Sequence, residues 1–234
     1  MRVLGIETST LQGGVALVDG EHVVCEHTLS VQVTHSERLL PAIDAVLRDA
    51  GVGLTDVEGL AISIGPGSFT GLRIGLSTVK GLAYATGLPV VGVPTLEAMA
   101  WLLPAARYPI CPVLDARKHE VYAALFRHAE TGLVRLWDDR ALSPERVCDL
   151  VDGPTLFIGD GVGAYADLWQ SRLGDRMIIP PVFARAARPA VIAMLGHDRF
   201  MRGERDDAGS LVPRYLRPSE AEARRRAARP GLQA

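Results

Sequence analysis

Residues 65–87 read GPGSFTGLRIGLSTVKGLAYATG, and the course of the chain through them decides the fold. An apolar run, Gly59 to Ile64, leads in and reads as a buried strand bounded by turn residues. Three glycines and one proline within the next seven residues then make a loop. The pattern beyond it predicts a helix. Ser68 or Thr70 can cap its first turn with a hydroxyl that accepts from an otherwise orphan N–H. Gly87-Leu88-Pro89 stops it, because glycine supplies the left-handed position and proline cannot continue the ladder.

A glycine-rich loop feeding a helix N-terminus also suits an anion, since free N–H groups and the helix dipole converge there. No Gly-Lys-Ser/Thr follows at phosphate-loop spacing, and the glycines do not follow G-x-G-x-x-G. The tight strand-to-helix turn is therefore the first reading and phosphate binding the second. Within the helix, Leu72, Leu76, Val79 and Ala83 form an apolar stripe, and Ile74, Ser77, Gly81 and Ala85 a mostly small one. Gly71, Gly75 and Gly81 each cost about 1 kcal/mol of helix propensity relative to Ala. Such a cost points to a close neighbour, either a helix of this chain or one of another subunit.

The rest of the chain supplies a repeated order. Strands are expected over 3–8, 13–18 and 22–29, with Asp19-Gly20 as a hairpin turn. A helix over 34–48 follows, then the strand ending at Ile64, the helix from about Thr70, a strand over 89–93 and a helix from Thr95. The second half repeats this with strands over 110–114, 120–127 and 133–142, and a helix opened by Ser143-Pro144. A strand over 155–158, a helix over 165–173, a short strand over 177–179 and a helix over 189–201 complete it. The order βββαβαβα, met twice, fits an α/β protein with a duplicated ribonuclease-H-like fold, two lobes with mixed sheets facing a cleft. The lobes are expected at 1–103 and 104–217, with the helix near 189–203 able to cross back, followed by an Arg-rich tail over 218–234. That tail reads as a solvated end, with an RNA-touching arm as the alternative.

Composition excludes several classes. A net charge of −2 gives no general electrostatic case for nucleic-acid binding. No apolar run approaches 18 residues, and Met1-Arg2 leads straight into a strand-like segment, so neither a membrane span nor a secretory signal is expected. The three cysteines, Cys25, Cys111 and Cys148, are widely spaced and read as reduced thiols of a cytoplasmic protein.

The sequence closely resembles the TsaB (YeaZ) family. GPGSFTGLRIG at 65–75 is the most specific part of the match. KGLA at 80–83, GVPTLEAMA at 92–100, LGIETST at 4–10, HSE at 35–37, DARKHEVY at 115–122, GDG at 159–161 and PRYLR at 213–217 support it. The resemblance implies an actin-like (ASKHA) fold. It also implies a role in making threonylcarbamoyladenosine beside the anticodon of tRNAs that read codons starting with A. By the same resemblance the protein pairs with the transferase TsaD and the TsaE ATPase joins the pair; the same helix surface would permit a symmetric homodimer when TsaD is absent.

Carboxylates that could act in the cleft are Glu7 at the end of the first strand, Asp115 at the equivalent place in the second half, and Asp160 between two glycines. In actin-like ATPases such positions hold Mg²⁺ and phosphate, and oxygen ligands suit that cation. The competing reading, slightly preferred, is that all three only shape turns. TsaD carries a His-x-x-x-His metal pair, and one helical face can share a cation at that spacing. Thr95 and Met99 stand at the matching positions here, and neither replaces an imidazole. The nucleotide motif of that relative corresponds to Asp160–Tyr165, where Asp160 adds negative charge and Tyr165 replaces an amide. His22, His27, His119 and His128 read as surface groups on strands or hairpins, His35 sits at a helix start, and no nucleophile motif supports the old glycoprotease label.

The expectation is a non-catalytic partner subunit with no catalytic residue, no metal and no cofactor of its own. ATP or ADP with magnesium, weakly held at the partner interface by Glu7, Asp115 and Asp160, is the secondary expectation. The helices over 34–48 and 70–85 would supply the interface, through His35, Leu39, Ile43, Leu72, Arg73, Leu76 and Lys80. The alternative function is an autonomous ATPase or small-molecule kinase of the same fold.

Overall fold

The computed structural model describes residues 1–30 and 35–217, so the Arg-rich tail lies outside the described residues. The first half runs β1 (Arg2–Glu7), β2 (Gln12–Asp19), β3 (His22–Ser30), α1 (His35–Asp49), β4 (Gly59–Gly65), α2 (Phe69–Thr86), β5 (Val90–Pro94) and α3 (Thr95–Ala100). The second runs β6 (Ile110–Arg117), β7 (Glu120–Ala129), β8 (Gly132–Leu142), α4 (Pro144–Leu150), β9 (Thr155–Ile158), α5 (Gly161–Leu173), β10 (Met177–Ile178) and α6 (Pro189–Met201). The sheets have orders β3-β2-β1-β4-β5 and β10-β9-β6-β7-β8, which are one topology repeated. In each, the first three strands are antiparallel, and the next two join parallel to the first.

Local chemistry sets the element ends. The Ser68 hydroxyl accepts from Gly71 N, and Gly87 closes α2 at φ 74°. Ser143 caps α4 with Pro144 at its first position. α5 starts four residues before the expected Tyr165, because that residue breaks the helix with φ −130°. The periodic part recognised in the sequence is only the portion after the break.

Strand alternation divides each sheet into two buried faces. Leu4, Ile6, Val15, Leu17, Leu60 and Ile62 pack beneath α1 and α2, on Leu39, Ile43, Val46, Leu76 and Val79. On the opposite face Val3, Ala61 and Val91 meet Ile192, Ala193 and Phe200 of α6. Gly5 permits this approach, since a Cβ there would lie 2.5 Å from both Ala193 N and Pro189 O. In the second sheet, Cys111, Val113, Val121, Ala123 and Phe157 pack with Val147, Trp169 and Leu173 of α4 and α5. Its other face, with Ile110, Leu114, Ala124, Phe126 and Ile158, is covered by Leu96, Met99 and Ala100 of α3.

The halves therefore exchange helices. α3, from the first half, contributes to the core of the second sheet, and α6, from the second, lies on the first. A boundary at residue 103 divides the chain but not the packing. No helix among the described residues is long and apolar enough to cross a membrane.

Candidate functional site

The first turn of interest follows β1. Glu7 is fully buried, and its Oε1 accepts from Ser9 N, Ser9 Oγ and Ser63 Oγ. Glu7 Oε2 has no partner, and burial pushes the carboxyl above its ordinary range despite those bonds. Beside it the glycine loop is bonded internally. Ser68 N donates to Ser9 O (2.6 Å), Gly65 N to Thr95 Oγ1 (3.2 Å), Gly71 N to Ser68 Oγ (3.2 Å) and Leu72 N to Ser68 O (2.9 Å). These four N–H groups of the loop and first turn are engaged within the protein. The geometry favours the tight-turn reading of the loop. Gly67 is required there, since a Cβ would lie 2.3 Å from Ser9 O.

The second turn mirrors the first. Asp115 N donates to Asp160 Oδ1 (3.0 Å), and Asp115 Oδ1 accepts from Arg117 N (2.9 Å). Asp160 as a residue is exposed, yet its carboxylate turns inward onto the Asp115 N–H. That desolvation, with the charge of Asp115 adding to it, pushes the Asp160 carboxyl up. The hairpin tip that follows holds Arg117, Lys118 and His119 at φ between 55° and 63°. His119 Nε2 lies 2.8 Å from Glu145 Oε1, and its ring meets Tyr165 edge-on. Glu7 and Asp115 each accept from a backbone N–H two residues on, Asp160 accepts from Asp115 N across to β6, and of these three carboxylates Glu7 has a buried oxygen without a partner.

α3 lies between these turns. Thr95 is fully buried, with its hydroxyl accepting from Gly65 N. Met99 is fully buried too, and a Cβ on Gly159 would lie 3.1 Å from its methyl carbon. Neither position presents a metal ligand. The thiols give no nucleophile either: burial raises Cys111, Cys148 and Cys25 above the ordinary thiol range.

The interface residues expected from the sequence require a correction. Leu39, Ile43, Leu72 and Leu76 are core residues at 1–6% exposure, because the apolar stripes of α1 and α2 face their own sheet. Arg73 covers the Phe69 ring at 4.0 Å and donates to Tyr215 OH, and Lys80 Nζ donates to Gly209 O. Both basic residues therefore hold the segment after α6 against α2. The side chain of His35 lies outside the described residues. The solvent face of α1 instead carries Leu40, Pro41 and Asp44, and that of α2 carries Ser77, Gly81, Tyr84 and Ala85. Tyr84 is 94% exposed, and a Cβ on Gly81 would meet nothing within 4 Å. The histidines are not uniformly on the surface as expected: His128 is half-buried, ring-edge to Trp101.

Two halves of one topology, interlocked by exchanged helices and with a turn at the end of each first strand, define a duplicated ribonuclease-H-like, actin-like α/β protein. A family model described as TsaD, tRNA N6-adenosine threonylcarbamoyltransferase, matches residues 30–224. The Escherichia coli and Bacillus subtilis proteins named tRNA threonylcarbamoyladenosine biosynthesis protein TsaB are 37% and 31% identical to this chain. The matches span 94% of this chain and 96% of the first relative, and 96% and 97% for the second. The structure of YeaZ from Pseudomonas aeruginosa superimposes with a TM-score of 0.77 at 28% identity, over 92% of this chain and 99% of that one. The chain belongs to the TsaB (YeaZ) family.

Proposed function

We propose that this chain is a non-catalytic subunit in tRNA threonylcarbamoyladenosine biosynthesis, acting in the cytoplasm by docking onto the transferase TsaD, with TsaE joining the pair. The observation that carries this reading is the burial of Thr95 and Met99. They occupy the helix positions where, by family resemblance, the catalytic relative holds its metal histidines. Here one hydroxyl is committed to Gly65 and one thioether to the core. The docking face we assign is the outer side of α1 and α2, around Leu40, Ser77, Gly81 and Tyr84. Gly81 supports this, because a helix glycine surrounded by open space has no intramolecular reason to forgo about 1 kcal/mol of propensity. A partner helix crossing closely there supplies the reason. The same face would form a homodimer when TsaD is absent.

Light scattering on a mixture with TsaD tests this. A one-to-one complex is expected with the unmodified chain, and Gly81→Arg should abolish it while the melting temperature holds or rises. A complex of undiminished affinity in that variant removes the interface from this face.

The alternative, an autonomous ATPase or kinase, is favoured by one observation, the unpartnered buried Oε2 of Glu7. ATP and Mg²⁺ titrated into the isolated chain separate the readings. Weak binding without turnover fits a docking subunit that holds nucleotide loosely at the interface through Glu7, Asp115 and Asp160. Turnover that disappears in Glu7→Gln fits the enzyme.

A further inference from the structure

β3 is the edge strand of the first sheet, and α1 packs against it and its neighbour β2. Cys25 sits opposite Leu17 and His27 opposite Val15, so both side chains project on the α1 side, two residues apart. α1 ends at Asp49, next to them. His27 Nε2 lies 2.9 Å from Asp49 Oδ2, and the ligand atoms of Cys25, His27 and Asp49 all fall within 4.8 Å of one another. The site is reachable from water: His27 and Asp49 expose 34% and 48% of their side chains, and Cys25 is half-buried.

We propose that Cys25, His27 and Asp49 form a binding site for a zinc-type dication that clamps the edge strand to the end of α1. One sulfur, one imidazole nitrogen and one carboxylate oxygen form the donor set of a borderline metal; Mg²⁺ would demand oxygens. Metal–donor bonds of about 2.0–2.3 Å in a tetrahedron set donors roughly 3.3–3.7 Å apart, so side-chain rotations of about 1 Å close the site. Three protein ligands leave the fourth position to water. Arg48 Nε lies 3.7 Å from Asp49 Oδ1 and leaves Oδ2 for the cation. On binding, the Cys25 S–H bond breaks as the sulfur–metal bond forms, and the proton passes to solvent. His27 Nε2 makes its contact with the Asp49 carboxylate through its N–H; as the nitrogen–metal bond forms that proton leaves Nε2, and Nδ1 carries the ring's remaining proton. The resulting thiolate and carboxylate together balance the dication's charge.

The full chain, stripped with chelator, is titrated with Zn²⁺ against a chromophoric chelator, and separately with Co²⁺ in the near ultraviolet. The expected result is one ion per chain, a thiolate-to-cobalt charge-transfer band, and no competition from excess Mg²⁺. Cys25→Ser should remove the band and weaken Zn²⁺ binding by at least about tenfold, with Asp49→Asn and His27→Ala weakening it similarly. His22→Ala, on the same strand, should bind as the parent chain does. Cys111 and Cys148 are buried, so the band reports on Cys25. Absence of the band, or Zn²⁺ affinity unchanged in Cys25→Ser, overturns the proposal. Thermal melts of each variant without metal verify that the fold is retained.

Discussion

Two glycines six residues apart in α2 should respond oppositely to the same substitution. Gly75 faces the sheet, where an added Cβ would lie 2.2 Å from Thr8 Oγ1, 3.2 Å from Thr8 Cβ and 3.0 Å from Ile62 Cδ1. Thr8 is fully buried, so its short side chain cannot swing into solvent. Alanine at 75 gains about 1 kcal/mol of helix propensity but forces β1 and α2 apart. Overpacking of this kind costs about 1–3 kcal/mol, so Gly75→Ala should be net destabilising. Gly81→Ala meets nothing within 4 Å and should realise the full propensity gain of about 1 kcal/mol, a rise in Tm of roughly 2–4 °C for a chain of this size. The two variants should thus differ by about 2 kcal/mol in guanidinium unfolding, in a direction that propensity alone, with an equal gain at both sites, does not give. Affinity for TsaD, measured on the same proteins, should fall in Gly81→Ala even as stability rises. Equal stabilisation by both substitutions would refute the packing argument at 75. Unchanged affinity in the more stable Gly81→Ala would refute the reading of residue 81 as a contact reserved for a partner.

The other predictions concern buried polar groups. Burial raises the folded-state pKa of Glu7 above its ordinary 4.5, so the stability contributed by its protonated form is complete below that value and lost as pH climbs through the raised one. Glu7→Gln should therefore match the parent chain at about pH 4 and gain on it towards about pH 8, as read by unfolding curves at the two values. Trp169 is fully buried, donates through its indole nitrogen to Pro144 O (2.9 Å), and packs on Phe157. Trp169→Phe removes that donor, leaving the carbonyl only the Cys148 thiol (3.6 Å), and opens a void beside Phe157, which should cost about 1–3 kcal/mol in the same assay.

The element order and most strand ends were legible because periodicity, caps and glycine turns are local signals. Ser68, Gly87 and Ser143 act as their residue types suggest. The proposed docking face was not legible for a physical reason. Apolar periodicity marks the side of a helix that is buried in its own fold, so Leu39, Ile43, Leu72 and Leu76 drew attention and proved to be core. The face proposed to dock is small and mixed, as Ser77, Gly81 and Ala85 are, and so carries no apolar period. The exchange of α3 and α6 was equally hidden, since TLEAMA is buried at Thr95, Leu96, Ala98, Met99 and Ala100 and carries no period to say which sheet it covers. The Cys25, His27 and Asp49 cluster depends on how a strand and a helix end meet, which no spacing along the chain encodes.

The position of α3 gives the proposed docking subunit a reason to keep its two-lobed form. Thr95 at its start receives the Gly65 N–H of the first glycine turn, while Met99, one turn later, fills space against Gly159 of the second. A single short helix therefore braces both turns, and it does so through the two residues that would carry the metal pair in a catalytic relative. Imidazoles there would have to point at a cation and leave Gly65 N and the apolar pocket around Ile110, Leu114 and Ile158 unsatisfied. A hydroxyl and a thioether satisfy both. Under the docking proposal, α3 ties both turns together and so fixes the first half, with α1 and α2, against the second.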